Sequence, residues 1–257
     1  MNKFRWGLAV SLFCSLILQN AFVDAASSTK HKKKGHVNVK HLDHPLIQMK
    51  LTNMRNTKTD YPEFRNNLME ASAMMVYEAL RDYRTKSTEV TTPLNLKARG
   101  EAMDKEIVIV PILRAGLGMA EGMLRVVPEA RVGHIGLYRD PVTLEAISYY
   151  YKVPHVKKDS TVLIVDPMFA TGNTSVSAVK QLQKDGFTDI RLVCLLGVQE
   201  AIRNLEDNGI DIDLYIAAID DGLNEKAYIL PGLGDSGDRV FGTYLSLDDA
   251  QEHIGVK

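Results

Sequence analysis

The stretch TVLIVDPMFATGNT, residues 161–174, opens as an unbroken apolar run, closes on an Asp-Pro pair and then turns through Thr171, Gly172, Asn173 and Thr174. An apolar run such as 162–165, with no polar alternation, suits a strand buried on both faces, the condition of an interior strand in a parallel sheet. Helical patterning at 175–184 follows directly, so the stretch reads strand, turn, helix. Each residue after the strand then has a physical task. Gly172 allows close approach of the backbone to a ligand, while the amides of 170–174 and the hydroxyls of Thr171 and Thr174 can donate to an oxyanion at the positive end of the following helix. Asp166 falls where a strand-end carboxylate can accept hydrogen bonds from vicinal ribose hydroxyls and place negative charge near a developing sugar cation. An Asp closing a strand and a Thr capping a helix is the ordinary alternative; the whole run favours a phosphate site.

Outward from this stretch, further short apolar runs at 107–110, 132–137, 190–196 and 214–219 read as strands, and helical patterns occupy 116–127 and 200–207. Leu68, Met75, Ala79, Leu80 and Tyr83 share one face of an amphipathic helix within 64–83. Right-handed crossovers make this an α/β fold, with a central, mainly parallel sheet of about five strands flanked by helices and ligands beyond the strand carboxyl ends. Residues 139–153 alternate polar and β-prone side chains and read as an exposed hairpin or flap; the glycine-rich tail from Asp220 reads as a loop-rich hood over the sheet edge.

With 257 residues, 45% hydrophobic, 25% charged and a net charge of -1, the chain suits one main domain and small-molecule partners rather than nucleic acid. Two cysteines, Cys14 and Cys194, make neither a disulfide framework nor a zinc site. Residues 1–25 resemble a secretory signal peptide: Lys3 and Arg5, an apolar run over 6–18, then small residues near Ala25. That run is too short for a spanning helix, so no permanent membrane association is expected. Residues 26–43, basic and bearing His31, His36 and His41, read as a solvated linker, leaving 44–257 as the folded domain. Rival motifs fail on detail. No Lys lies in the 170–174 turn as a Walker loop needs, and the GxGxxG at Gly232, Gly234 and Gly237 leaves no room for a βαβ unit.

The run VDPMFATGNT, 165–174, resembles the phosphoribosyl-diphosphate signature of the type I phosphoribosyltransferases, and its Asp-Pro pair is similar to that of the uracil phosphoribosyltransferases. HPLI at 44–47, PILRAGLGM at 111–119, GLYRD at 136–140 and YILPGLGDSGD at 228–238 resemble the same family. The last resembles its uracil-recognition loop. Asn173 and Thr174 stand where Gly and Ser are commoner in similar sequences, and Phe169 replaces a smaller aliphatic residue; Thr174 keeps the hydroxyl.

The resemblance implies formation of UMP and pyrophosphate from uracil and 5-phosphoribosyl 1-diphosphate in pyrimidine salvage. Mg2+ would be held mainly through substrate, with no direct protein ligand. Arg114, Arg139, Asp235 and the run Asp166, Pro167, Met168, Phe169, Ala170, Thr171, Gly172, Asn173 and Thr174 would meet the phosphoribosyl diphosphate, with Asp166 and Arg139 closest to the chemistry. Ile229, Gly234, Asp235 and Ser236 would hold uracil. The class also implies a cytoplasmic homo-oligomer, dimer or tetramer, and leaves activation by GTP open. A nucleotide-sensing regulator on the same fold and a transferase for another base are the competing readings.

Overall fold

The computed structural model describes residues 33–139 and 146–244. In chain order these form β1 (Val37–His41), α1 (Pro45–Arg55), α2 (Tyr61–Ala79), β2 (Thr85–Thr91), β3 (Lys97–Met103), β4 (Ile107–Leu113), α3 (Gly116–Leu124), β5 (Arg131–Val132), β6 (His134–Arg139) and β7 (Ala146–Lys152). There follow β8 (Thr161–Phe169), α4 (Asn173–Lys184), β9 (Asp189–Val198), α5 (Gln199–Asp207), β10 (Ile212–Asp220), β11 (Gly222–Leu223), β12 (Ile229–Leu230) and α6 (Ser236–Phe241).

The central sheet runs β1-β10-β9-β8-β4-β6-β7, with β5 paired to β4. All neighbours are parallel except β6 and β7. Its middle is the apolar set anticipated from sequence: Val162, Leu163, Ile164 and Val165 of β8 and Leu192, Val193, Cys194 and Leu195 of β9 are fully buried. Burial pushes the Cys194 thiol well up, with Asp166 nearby adding to the shift, so this cysteine is an inert core side chain. Helices α1, α2 and α3 pack together against the sheet, and α4 and α5 pack together against it separately.

Local signals set the helix starts. Pro45 opens α1 behind His44, whose Nδ1 accepts from the Leu46 N–H at 3.2 Å, and Asp60 caps α2 by accepting from the Glu63 N–H at 2.8 Å.

Two expectations need correction, and one element was not anticipated. Among the described residues the sheet has eight strands rather than about five. One addition is β1, which pairs in parallel with β10 from Val37↔Ile212 to His41↔Ile216, so the basic linker cannot extend to residue 43. Val37 and Val39 alternate with polar residues in the period of an edge strand, and the density of Lys and His around them hid it. The antiparallel hairpin β2–β3 was not anticipated either: most of its side chains are exposed, so no core face marks it.

The flap reading agrees with β7, antiparallel to β6 and tied to α4 through the Tyr151 hydroxyl, which donates to Asp185 Oδ2 at 2.6 Å. Residues 140–145 of the flap, the leader at 1–25 and His31 lie outside the described residues. Past β10 the hood consists of two two-residue strands, connecting loops and the short α6. Among the described residues no helix is long and apolar enough to cross a membrane.

Candidate active site

The carboxyl ends of β4 and β8 and the hood enclose an open cavity of about 330 Å³, within the usual range for small-molecule sites. Arg114, Asp166, Met168, Ala170, Thr174, Ile229, Gly234, Asp235 and Ser236 all line it. Two groups of expected site residues some sixty positions apart in sequence therefore face one space.

On the β8 side, Asp166 is 9% exposed and its Oδ1 accepts from the Met168 N–H at 3.1 Å, which orients the carboxylate at the strand end. The strand passes into α4 through Gly172, in the left-handed conformation (φ 79) at the helix N-cap with no side chain capping the terminus. The first N–H groups of a helix lack carbonyls one turn earlier, so this uncapped end is electrostatically suited to an anion.

The fold itself demands glycine here. A Cβ at 172 would lie 2.9 Å from the Ala201 carbonyl oxygen on α5, so both its φ and its contact with α5 require the residue. Two neighbours depart from expectation. Phe169 is 1% exposed and packs in the core over Gly197, and Pro167 is buried within β8, so their side chains do not line the cavity. The alternation of a strand explains both, since Met168 faces the cavity while Phe169 faces the opposite layer. The Thr171 carbonyl and the Asn173 carboxamide are held by Asn204 of α5, each at 2.7 Å.

On the hood side, Ile229 is 4% exposed and Gly234 takes φ 79. Asp235 caps α6 by accepting from the Asp238 N–H at 2.9 Å. Burial pushes the Asp235 carboxyl up, with like charge from Asp238 adding to the shift. Burial acts the same way on Asp238, but hydrogen bonds from Thr243, Tyr244 and Arg114 outweigh it and hold that carboxyl below its ordinary value. Ser236 is 2% exposed, and its hydroxyl oxygen has no hydrogen-bond partner among the described residues. A buried hydroxyl without a partner costs about 1–3 kcal/mol.

Arg114 follows β4 across a cis Leu113–Arg114 peptide, and its Nη2 lies 2.8 Å from Asp238 Oδ1, so it bridges the strand end and the hood. Arg139 ends β6; the position of its side chain is not among the described features.

Several supporting residues carried no sequence signal. Arg55, at the end of α1, makes a two-pronged ion pair with Asp220 (2.8 and 2.6 Å) and donates to the Gly232 carbonyl at 2.8 Å. Arg239 of α6 donates to the carbonyls of Met54, Leu233, Asn56 and Thr59 and lies 4.4 Å over the Phe64 ring. Lys226, Ala227 and Tyr228 complete the cavity wall. Asn224 Oδ1 accepts from the Lys226 and Tyr228 N–H groups at 3.0 and 2.9 Å, closing a turn in which Ala227 takes φ 61.

Among the described residues no group of three or more His, Cys, Asp or Glu could hold a metal ion. Asp166 and Asp235 nevertheless supply oxygen donors to one cavity, the donor type a hard divalent cation takes alongside substrate oxygens.

A mainly parallel sheet with a glycine-bearing strand-to-helix turn at its carboxyl edge, roofed by a glycine-rich hood, defines the type I phosphoribosyltransferase fold. The comparisons narrow the class. The uracil phosphoribosyltransferase family model matches residues 41–243. The chain is 56% identical over 206 residues to the uracil phosphoribosyltransferase of Mycoplasmopsis agalactiae, covering 80% of this chain and 99% of that one. It is 51% identical over 203 residues to that of Dictyoglomus thermophilum, covering 79% and 98%. Among solved structures it is similar to the AQ2163 protein from Aquifex aeolicus, with a TM-score of 0.76 and 38% identity over 81% of this chain and all of that one. The chain belongs to the uracil phosphoribosyltransferase family.

Proposed function

We propose that this enzyme transfers the phosphoribosyl group of 5-phosphoribosyl 1-diphosphate to uracil, forming UMP and pyrophosphate in pyrimidine salvage. The bond from the anomeric carbon to the diphosphate oxygen breaks, and the bond to the base nitrogen forms. The observation that carries this reading is the joining, in one cavity, of Asp166, Met168, Ala170 and Thr174 from the strand-to-helix turn with the hood residues Ile229, Gly234, Asp235 and Ser236.

In this reading the backbone of 170–174 and the Thr174 hydroxyl receive the 5′-phosphate, and Asp166 receives the ribose hydroxyls. As the diphosphate leaves, positive charge develops on the sugar and the buried Asp166 carboxylate favours it, so positioning and electrostatics supply most of the acceleration. Arg114 turns from Asp238 toward the departing diphosphate, whose charge guanidinium groups bind in two-pronged fashion, and Arg139 approaches from the flap. The Ser236 hydroxyl and the backbone around Ile229 and Gly234 pair with the polar edge of uracil. Asp166 and Asp235 are the carboxylates that would help hold Mg2+, which would be bound mainly through the substrate's own oxygens and would supply neutralisation of diphosphate charge. A cytoplasmic setting belongs to the same reading, since the substrate is a cytosolic metabolite, and assembly into a dimer or tetramer is carried with it from the family resemblance.

A base-by-base assay with 5-phosphoribosyl 1-diphosphate and magnesium decides among substrates. UMP from uracil is expected, with no nucleotide from hypoxanthine or xanthine; turnover of a purine in preference to uracil would overturn the base assignment.

A further inference from the structure

We propose that Asn204, on α5 and outside the cavity, is a positioning residue that sets the hydrogen-bonding direction of the anion turn; the proposal rests on the reading of that turn as the phosphate site. The Nδ2 group donates to the Thr171 carbonyl at 2.7 Å and to the Asn173 Oδ1 at 2.7 Å, using both of its N–H bonds. The Asn204 Oδ1 accepts from Asn208 Nδ2 at 2.9 Å, and Asn208 Oδ1 accepts from Lys180 Nζ, back on α4, at 2.7 Å. This circuit fixes which way the Asn204 carboxamide points, because reversing it would set oxygen against the Thr171 carbonyl and nitrogen against a donor.

The consequence follows from peptide geometry. In a planar trans peptide the C=O and the next N–H point in opposite directions. Holding the Thr171 carbonyl toward α5 therefore directs the Gly172 N–H away from α5. Ala201, one turn earlier on the same face of α5, packs against Gly172 from that side, where a Cβ would meet its carbonyl oxygen at 2.9 Å. The Asn173 side-chain oxygen is drawn to α5 by the same amide.

The test measures binding of 5-phosphoribosyl 1-diphosphate with magnesium, and KM for each substrate, for the full chain and for Asn204→Leu, Asn204→Asp and Asn204→Gln. Leu and Asp both remove the two donors, Asp at nearly constant volume and Leu with the same branching but bulkier methyl groups. Each is expected to weaken sugar-diphosphate binding about tenfold or more and to lower the unfolding temperature through the lost hydrogen bonds, while KM for uracil changes less than twofold; Gln, which keeps the donors on a longer arm, recovers part of both losses. Sugar-diphosphate binding unchanged in both Leu and Asp variants would overturn the proposal, as would an equal loss for both substrates tracking a fall in stability. A parent protein that fails to bind the sugar diphosphate would instead bring down the phosphate-site reading and this inference with it.

Discussion

Gly172 and Asp235 are the residues whose environments make the sharpest demands. At Gly172 any L side chain meets a left-handed backbone, worth about 1–2 kcal/mol, and a backbone oxygen 2.9 Å away that cannot swing aside. Gly172→Ala is therefore expected to lower stability by about 2 kcal/mol or more, read as a shift in the urea midpoint. Asp235 carries a carboxyl raised by burial. A raised folded-state pKa means that the native state holds its proton longer, so stability present below the unfolded pKa is lost as pH rises through the folded value. Asp235→Asn keeps a capping oxygen for α6 and removes that cost; a higher unfolding temperature at neutral pH, a gain that disappears toward pH 3, and lower turnover are expected. An Asn variant less stable than the parent at neutral pH would contradict this account of the site. The importance of Gly172 was legible in the Thr-Gly-Asn-Thr turn, but its contact with α5 was not, because Ala201 lies nearly thirty positions away and nothing in the spacing announces the contact.

Elements were legible in proportion to how completely they are buried. β4, β8, β9 and β10 stood out because continuous apolar runs mark strands covered on both faces. β2 and β3 did not, since a hairpin with both faces largely open needs no apolar stripe. The hood is seated by arginines and by Ile229, Leu233 and Val240, which join the main core, so its glycines could be read as loop but its seating could not. Arg239 spans the carbonyls that end α1 and one from the hood loop, a geometry that the planar fork of Arg supplies and the single ammonium of Lys cannot. Arg239→Lys is expected to leave at least one of these carbonyls unpaired, costing about 1–3 kcal/mol, and to raise KM for uracil more than KM for the sugar diphosphate. Chemical denaturation together with substrate-resolved kinetics checks both; equal effects on the two substrates would argue against a hood-specific role.

At the scale of the whole molecule, the sheet brings together segments that sequence reading could join only through family resemblance. No periodicity says that residues 229–236 fold over 166–174; the topology does so by running β8, β9 and β10 side by side and returning the chain across their carboxyl ends. The edges were read least well, with β1 concealed among Lys and His and the flap tip outside the described residues. The centre, by contrast, was written in the apolar runs and the turn that follows β8. The most direct measurement is a calorimetric titration of the protein with 5-phosphoribosyl 1-diphosphate in the presence of magnesium. Saturable binding at one site per chain, weakened by excess inorganic phosphate, is expected; no heat and no saturation with folded protein would contradict the claim that this turn grips the sugar's 5′-phosphate.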